Sequence, residues 1–133
     1  GMPYCPVNNN SAGLAAGLTA TGSSVASDNN LTFLGSDIVP NNFGIMLNST
    51  VSGFTANIGT NGSGNLCLGG GIGRFSRTGE IVSVDSVGAM SFTPDLTDIP
   101  RPMTIASIGA GETWFFQFWY RDFNPASTSN TSS

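Results

Sequence analysis

Gly111-Glu112-Thr113-Trp114-Phe115-Phe116-Gln117-Phe118-Trp119-Tyr120-Arg121-Asp122 is the densest apolar run in the chain, and it holds both tryptophans. Gly109 and Gly111 stand at its entrance and Asn124-Pro125 at its exit, so chain-breaking residues bound it on both sides. A bounded, aromatic-rich run of this length predicts a strand rather than a helix. Strand side chains alternate between two faces. One face carries Trp114, Phe116, Phe118 and Tyr120, and the other carries Thr113, Phe115, Gln117, Trp119 and Arg121. The first face is wholly aromatic and has to be covered. The run is therefore the expected central strand of a β-sandwich core.

Working outward from it, the chain breaks into short apolar runs separated by Gly, Asn, Asp and Pro. Leu14 to Thr21 predicts a strand with Leu14, Ala16, Leu18 and Ala20 on one face. Leu31 to Leu34 predicts another, with Leu31 and Phe33 inward. Phe43 to Ser49 is nearly continuous in apolar residues, as expected for a strand covered on both sides. Phe54 to Ile58 and Leu66 to Leu68 are short candidates, followed by the glycine run Gly69-Gly70-Gly71-Ile72-Gly73. Glu80 to Val84 predicts a strand burying Ile81 and Val84, Ala89 to Thr93 one burying Met90 and Phe92, and Met103 to Ile108 a last extended segment before the aromatic run. No segment longer than one turn has helical periodicity. The expected fold is all-β: two antiparallel sheets packed face to face, jelly-roll or immunoglobulin-like, with about eight or nine strands. The expected organisation is an N-terminal arm over 1–12, a sandwich domain over 13–124 and a polar tail over 125–133.

Composition sets the bounds on function. A chain of 133 residues fits one domain, and at that size roughly 65 to 70% of the unfolded surface is buried. Charged residues make up 9% of it, against about 25% in an average soluble domain. Gly, Ser, Thr and Asn number 18, 17, 13 and 13, which gives a neutral, hydroxyl-rich surface. A net charge of -4 with only four basic residues cannot build the footprint that nucleic acid requires, so no nucleic-acid partner is expected. No window approaches the apolar length of a membrane span, so no membrane insertion is expected. Nor does any basic-then-apolar leader precede Tyr4. Secretion is expected to rely on a leader that was removed or lay upstream.

The chemistry on offer is narrow. There is no His, and no Lys occurs in the sequence, so Ser-His-Asp, Cys-His and Schiff-base mechanisms lack their base or amine. Asp95 and Asp98 sit in a Pro-bounded turn that explains both as turn residues, and Glu112 follows a glycine at a strand entrance. No paired carboxylates are legible, which leaves a carboxylate-dependent hydrolase as a distant alternative. Neither a calcium loop nor a Cys/His metal cage is present, so no metal and no cofactor is expected. The glycine run with Arg74 fits no phosphate-binding spacing and reads as tight backbone packing. Cys5 and Cys67 fit neither a zinc site nor a Cys-x-x-Cys redox pair, which favours one structural disulfide in an oxidising compartment. Closing that loop would stabilise the fold by roughly 4 kcal/mol in the chain-entropy description, and would pin the N-terminal arm to the body.

Trp119 is the side chain with the most to offer a ligand. It shares its face with Gln117 and Arg121. An open face would be a platform on which a sugar ring stacks, with Gln117 and Arg121 as polar guides. A covered face would instead place Phe115 and Trp119 under a neighbouring loop or the N-terminal arm.

Tyr4-Cys5, Leu66-Cys67-Leu68-Gly69-Gly70 with Arg74, Gly111-Glu112-Thr113-Trp114, Phe116-Gln117, Trp119-Tyr120-Arg121-Asp122 and Thr128-Ser129-Asn130 together resemble a module found near the ends of large extracellular proteins of aquatic bacteria. The resemblance covers almost the whole chain. It implies secretion or cell-surface attachment, a Cys5–Cys67 bridge and a non-catalytic accessory role. Members of that family continue past the Ser-Asn step with one more apolar strand, whereas this chain stops at Ser133. An unpaired sheet edge is therefore expected, filled by another copy of the chain or shielded by the N-terminal arm. The first reading is a non-catalytic structural or adhesive module that is not an enzyme and has a glycan or another protein as partner. The second is a carbohydrate-binding module using Trp119.

Overall fold

The computed structural model of the chain describes residues 16–23, 25–58, 64–121 and 129–132. It is almost entirely β, with one short 3-10 turn at Ala26–Asp28. The aromatic run forms β11 (Phe115–Arg121), which pairs antiparallel from Phe115 to Tyr120 with β3 (Phe43–Ser49). The opposite edge of β3 is shared by two short strands, β6 (Gly73–Arg74) and β7 (Val82–Ser83). A smaller sheet has the order β1 (Gly17–Thr21), β2 (Thr32–Ser36), β8 (Met90–Phe92). Two ribbons complete the fold: the hairpin β4 (Val51–Ile58) with β5 (Gly64–Gly69), and β9 (Ile99–Pro100) with β10 (Ile105–Ala106).

The two principal sheets enclose one core. Leu18, Phe33 and Met90 come from the smaller sheet, and Met46, Val82, Phe118 and Tyr120 from the larger. Phe118, Tyr120 and Met46 are completely buried, and Trp114 and Phe116 pack against the same cluster. Phe33 and Phe116 meet across the interlayer space with ring centroids 4.8 Å apart. The aromatic face of β11 is thus covered, as an all-ring face requires, and the architecture is a two-sheet antiparallel sandwich. Gly44 permits the close packing of β3 on β11, because a Cβ there would lie 2.7 Å from the Phe118 ring and 2.4 Å from the Trp119 carbonyl oxygen.

The fold departs from expectation at several points. Short two-residue strands raise the strand number above eight or nine. Val84 is buried as expected, but Ile81 is half-exposed and Val82 is buried instead. Val82 pairs with Gly44, so the even residues of this segment face the core and the period-two rule turns Ile81 outward. Ala20, near the end of β1, is exposed. Met103 is solvent-exposed, and the predicted strand there shrinks to Ile105–Ala106.

The residues read as a polar tail supply β12 (Ser129–Ser132), which pairs with β11 from Phe118 to Arg121. One edge of β11 is therefore occupied by this C-terminal segment of the chain itself. Apolar content was the wrong criterion for this segment, because ladder pairing uses main-chain groups and a polar strand suits a sheet edge. The N-terminal arm, residues 1–12, lies outside the described residues.

Candidate functional site

The outward face of the larger sheet is set by register. Trp119 stands opposite Ile45, Gln117 opposite Leu47, and Leu47 opposite Arg74 on the next strand. These side chains therefore share one face of three adjacent strands. Towards one end of it the β4–β5 hairpin lies against the sheet. Towards the other, β3 was expected to be covered on both sides, yet its first residue, Phe43, is 55% exposed. Between them is an open groove of about 350 Å³ lined by Ile45, Leu47, Leu66, Ile72, Arg74 and Trp119. Trp119 is half-buried there and Arg74 is exposed. The volume falls at the lower end of small-molecule sites.

Gln117 does not belong to this opening. It is fully buried. Its Oε1 accepts the Cys67 N–H at 2.9 Å, and its Nε2 donates to the Asn65 carbonyl at 2.7 Å. Asn65 and Cys67 lie two residues apart, so their main-chain groups point to the same edge of β5. The Gln117 amide takes the place of a peptide unit along that edge and fixes β5 to the sheet. Ser49 adds a second tie, its hydroxyl donating to the Gly69 carbonyl at 2.6 Å. The expectation that Gln117 guides a ligand is thus corrected: a side chain with no exposed surface and a bonded amide cannot reach one. Arg121 is the last residue of β11, and its side chain lies outside the described residues.

Arg74 takes the polar position that the sequence reading gave to Gln117. It stands two strands away from Trp119, and only the pairing register brings them to one groove. Among the described residues it has no hydrogen-bond or ion-pair partner. The other two described arginines are committed. Arg101 donates to Asn48 Oδ1 at 2.7 Å and to the Gly71 carbonyl at 2.8 Å, and it lies 5.4 Å from the centroid of Trp114. Arg77 pairs with Glu80 Oε2 at 2.6 Å and Asp98 Oδ1 at 3.1 Å. The hydrogen bonds from Arg77 hold the Glu80 carboxyl below its ordinary range, against an opposing effect of partial burial.

Asp85, Asp95 and Glu112 act as turn fasteners. Asp95 accepts the Thr97 hydroxyl at 2.6 Å, the Thr97 N–H at 2.9 Å and the Asn29 amide at 3.0 Å. These bonds, the Thr97 hydroxyl foremost, lower its pKa. Asp85 accepts the N–H groups of Val87 and Ala89, and Glu112 that of Gly109. Glu80 and Asp98 come together, but around the Arg77 guanidinium rather than across a cleft. Among the described residues no three His, Cys, Asp or Glu gather into a metal-binding group, and no helix is long and apolar enough to cross a membrane.

The glycine run packs as its composition suggests. A Cβ on Gly73 would sit 2.1 Å from the Pro100 carbonyl oxygen and 2.5 Å from Asn48 Oδ1. Cys67 is fully buried in β5, and Cys5 lies outside the described residues.

Fold and groove define an all-β sandwich with a Trp- and Arg-bearing depression on the outside of its larger sheet. No protein-family model matches the chain, and no curated protein or solved structure is detectably similar to it.

Proposed function

We propose that this chain is a non-catalytic β-sandwich module of a secreted or surface-attached protein, with an adhesive role exerted through the Trp119 groove. The observation that carries the reading is the groove itself: about 350 Å³ of mostly apolar concave surface on a sheet exterior. Such a surface costs solvation unless a partner covers it. The engagement of Glu80, Asp85, Asp95, Asp98 and Glu112 in clasps and turns supports a binding role over a hydrolytic one. Secretion accords with the low charge, the absence of lysine and a buried Cys67 that is not a free thiol. A Cys5–Cys67 bridge belongs to this reading, since the chain has only two cysteines. So does the resemblance to the accessory module of large extracellular proteins.

The partner in this reading is a glycan or another protein. Carbohydrate binding retains Trp119 as its platform, because the indole lines the groove, but it forgoes Gln117 as a guide. The test is a binding screen of the purified chain against arrayed glycans and immobilised extracellular proteins. Hits should be lost in Trp119→Ala and weakened in Ile72→Asn, with the thermal transition retained in at least one variant. Hits indifferent to both changes, or turnover of a bound glycan, would refute the proposal.

A further inference from the structure

We infer that the Trp119 groove takes a small amphipathic carboxylate, its hydrocarbon body along Ile45, Leu47, Leu66 and Trp119 and its anionic head at Arg74. The inference rests on the binding role proposed above but disfavours a glycan there: the ligand class it names for the same site is apolar and anionic. Four of the six described lining side chains are aliphatic, so a ligand seated on them gains by burying hydrocarbon. A hydroxyl-rich ligand would gain little from them and would leave hydroxyls unpaired against apolar walls. Among the described lining residues the one charged group is Arg74. It is exposed and, among the described residues, unpartnered, whereas Arg77 and Arg101 are each held by their own acceptors.

A guanidinium offers a carboxylate two parallel hydrogen bonds, and at a partly dry rim such a pair is stronger than in bulk water. The net charge of -4 opposes an anion only at long range, and salt screens it beyond about 8 Å at physiological ionic strength. The bland alternative is that Arg74 merely lays its methylene stem over the groove with its head in water. Under that alternative the charge of the ligand would not matter.

Three probes with one hydrocarbon tail separate these cases: octanoate, octylammonium and octyl glucoside, titrated below their micelle concentrations. Binding is read by indole fluorescence and by the methyl NMR signals of Leu66 and Ile72. Octanoate should bind roughly tenfold or more tightly than either of the others, as one charge-assisted pair is worth. Arg74→Gln should abolish that preference, and Arg74→Lys should restore part of it. Added salt should weaken octanoate alone. Equal binding of all three probes, or preference for octylammonium or octyl glucoside, overturns the inference while leaving the groove a binding site. Silence of all three also overturns it. The adhesive reading falls separately, on the absence of array hits sensitive to Trp119→Ala.

Discussion

Replacing Gln117 by leucine keeps the volume of a buried side chain and removes both of its hydrogen bonds. Those bonds end on the Cys67 N–H and the Asn65 carbonyl of β5, which would then have no partner there. Each buried main-chain group left unsatisfied costs about 1–3 kcal/mol, so the two together should cost about 2–6 kcal/mol. Leucine buries slightly more apolar surface and returns part of this, about 1 kcal/mol. A net loss of about 1–5 kcal/mol is therefore expected, a large fraction of a total stability of about 5–15 kcal/mol. Urea unfolding monitored by tryptophan fluorescence measures the loss. Hydrogen exchange locates it, because the Cys67 amide should lose protection selectively while the amides paired between β3 and β11 keep theirs.

Gln117→Glu gives a sharper version. A carboxylate can accept from the Cys67 N–H but repels the Asn65 carbonyl, whereas a protonated carboxyl can donate to that oxygen. Burial and this repulsion raise the folded-state pKa above the unfolded value of about 4.3. The stability of the glutamate variant should therefore be fully present below about pH 4. It should be lost as pH rises towards the folded-state pKa. A leucine variant that unfolds within about 0.5 kcal/mol of the parent, or a glutamate variant with no excess pH dependence, would refute the view that Gln117 fastens the hairpin.

Three other outcomes are expected. Glu80 contributes stability that is present above about pH 4.3 and fades as pH falls through its lowered folded-state value. Glu80→Gln should remove that part of the acid dependence at a cost near neutrality of about 0.5–1 kcal/mol, the pair being partly exposed, as chemical denaturation across pH will register. Gly73→Ala should destabilise by about 1–3 kcal/mol through its clash with Pro100 and Asn48, measured as a fall in Tm, while Gly79→Ala tests only a positive φ with open space around it. Phe118→Ala should cost about 3–5 kcal/mol in equilibrium unfolding, since the ring is fully buried between the sheets.

The sequence by itself determined the all-β class, the position of β11 and which of its faces would be dry. A run of rings alternating with other residues has no other way to escape water. It determined too that Asp95 serves a turn, because Asx chemistry is local and acts within two or three residues, whereas the Asp98 carboxylate is held by Arg77 across 21 residues. Tertiary structure alone decided the rest. The partners of Gln117 are the main chain of Asn65 and Cys67, about fifty residues away, and no side-chain pattern marks a main-chain edge in search of an amide. Arg74 reaches the Trp119 groove only through two successive strand registers, and a slip of one residue in either would turn it to the opposite face. The strand formed by Ser129–Ser132 carries no apolar signature, since what it satisfies is the exposed ladder of β11. Side-chain alternation is written residue by residue along the chain, whereas the pairing of edges is settled only when distant segments meet.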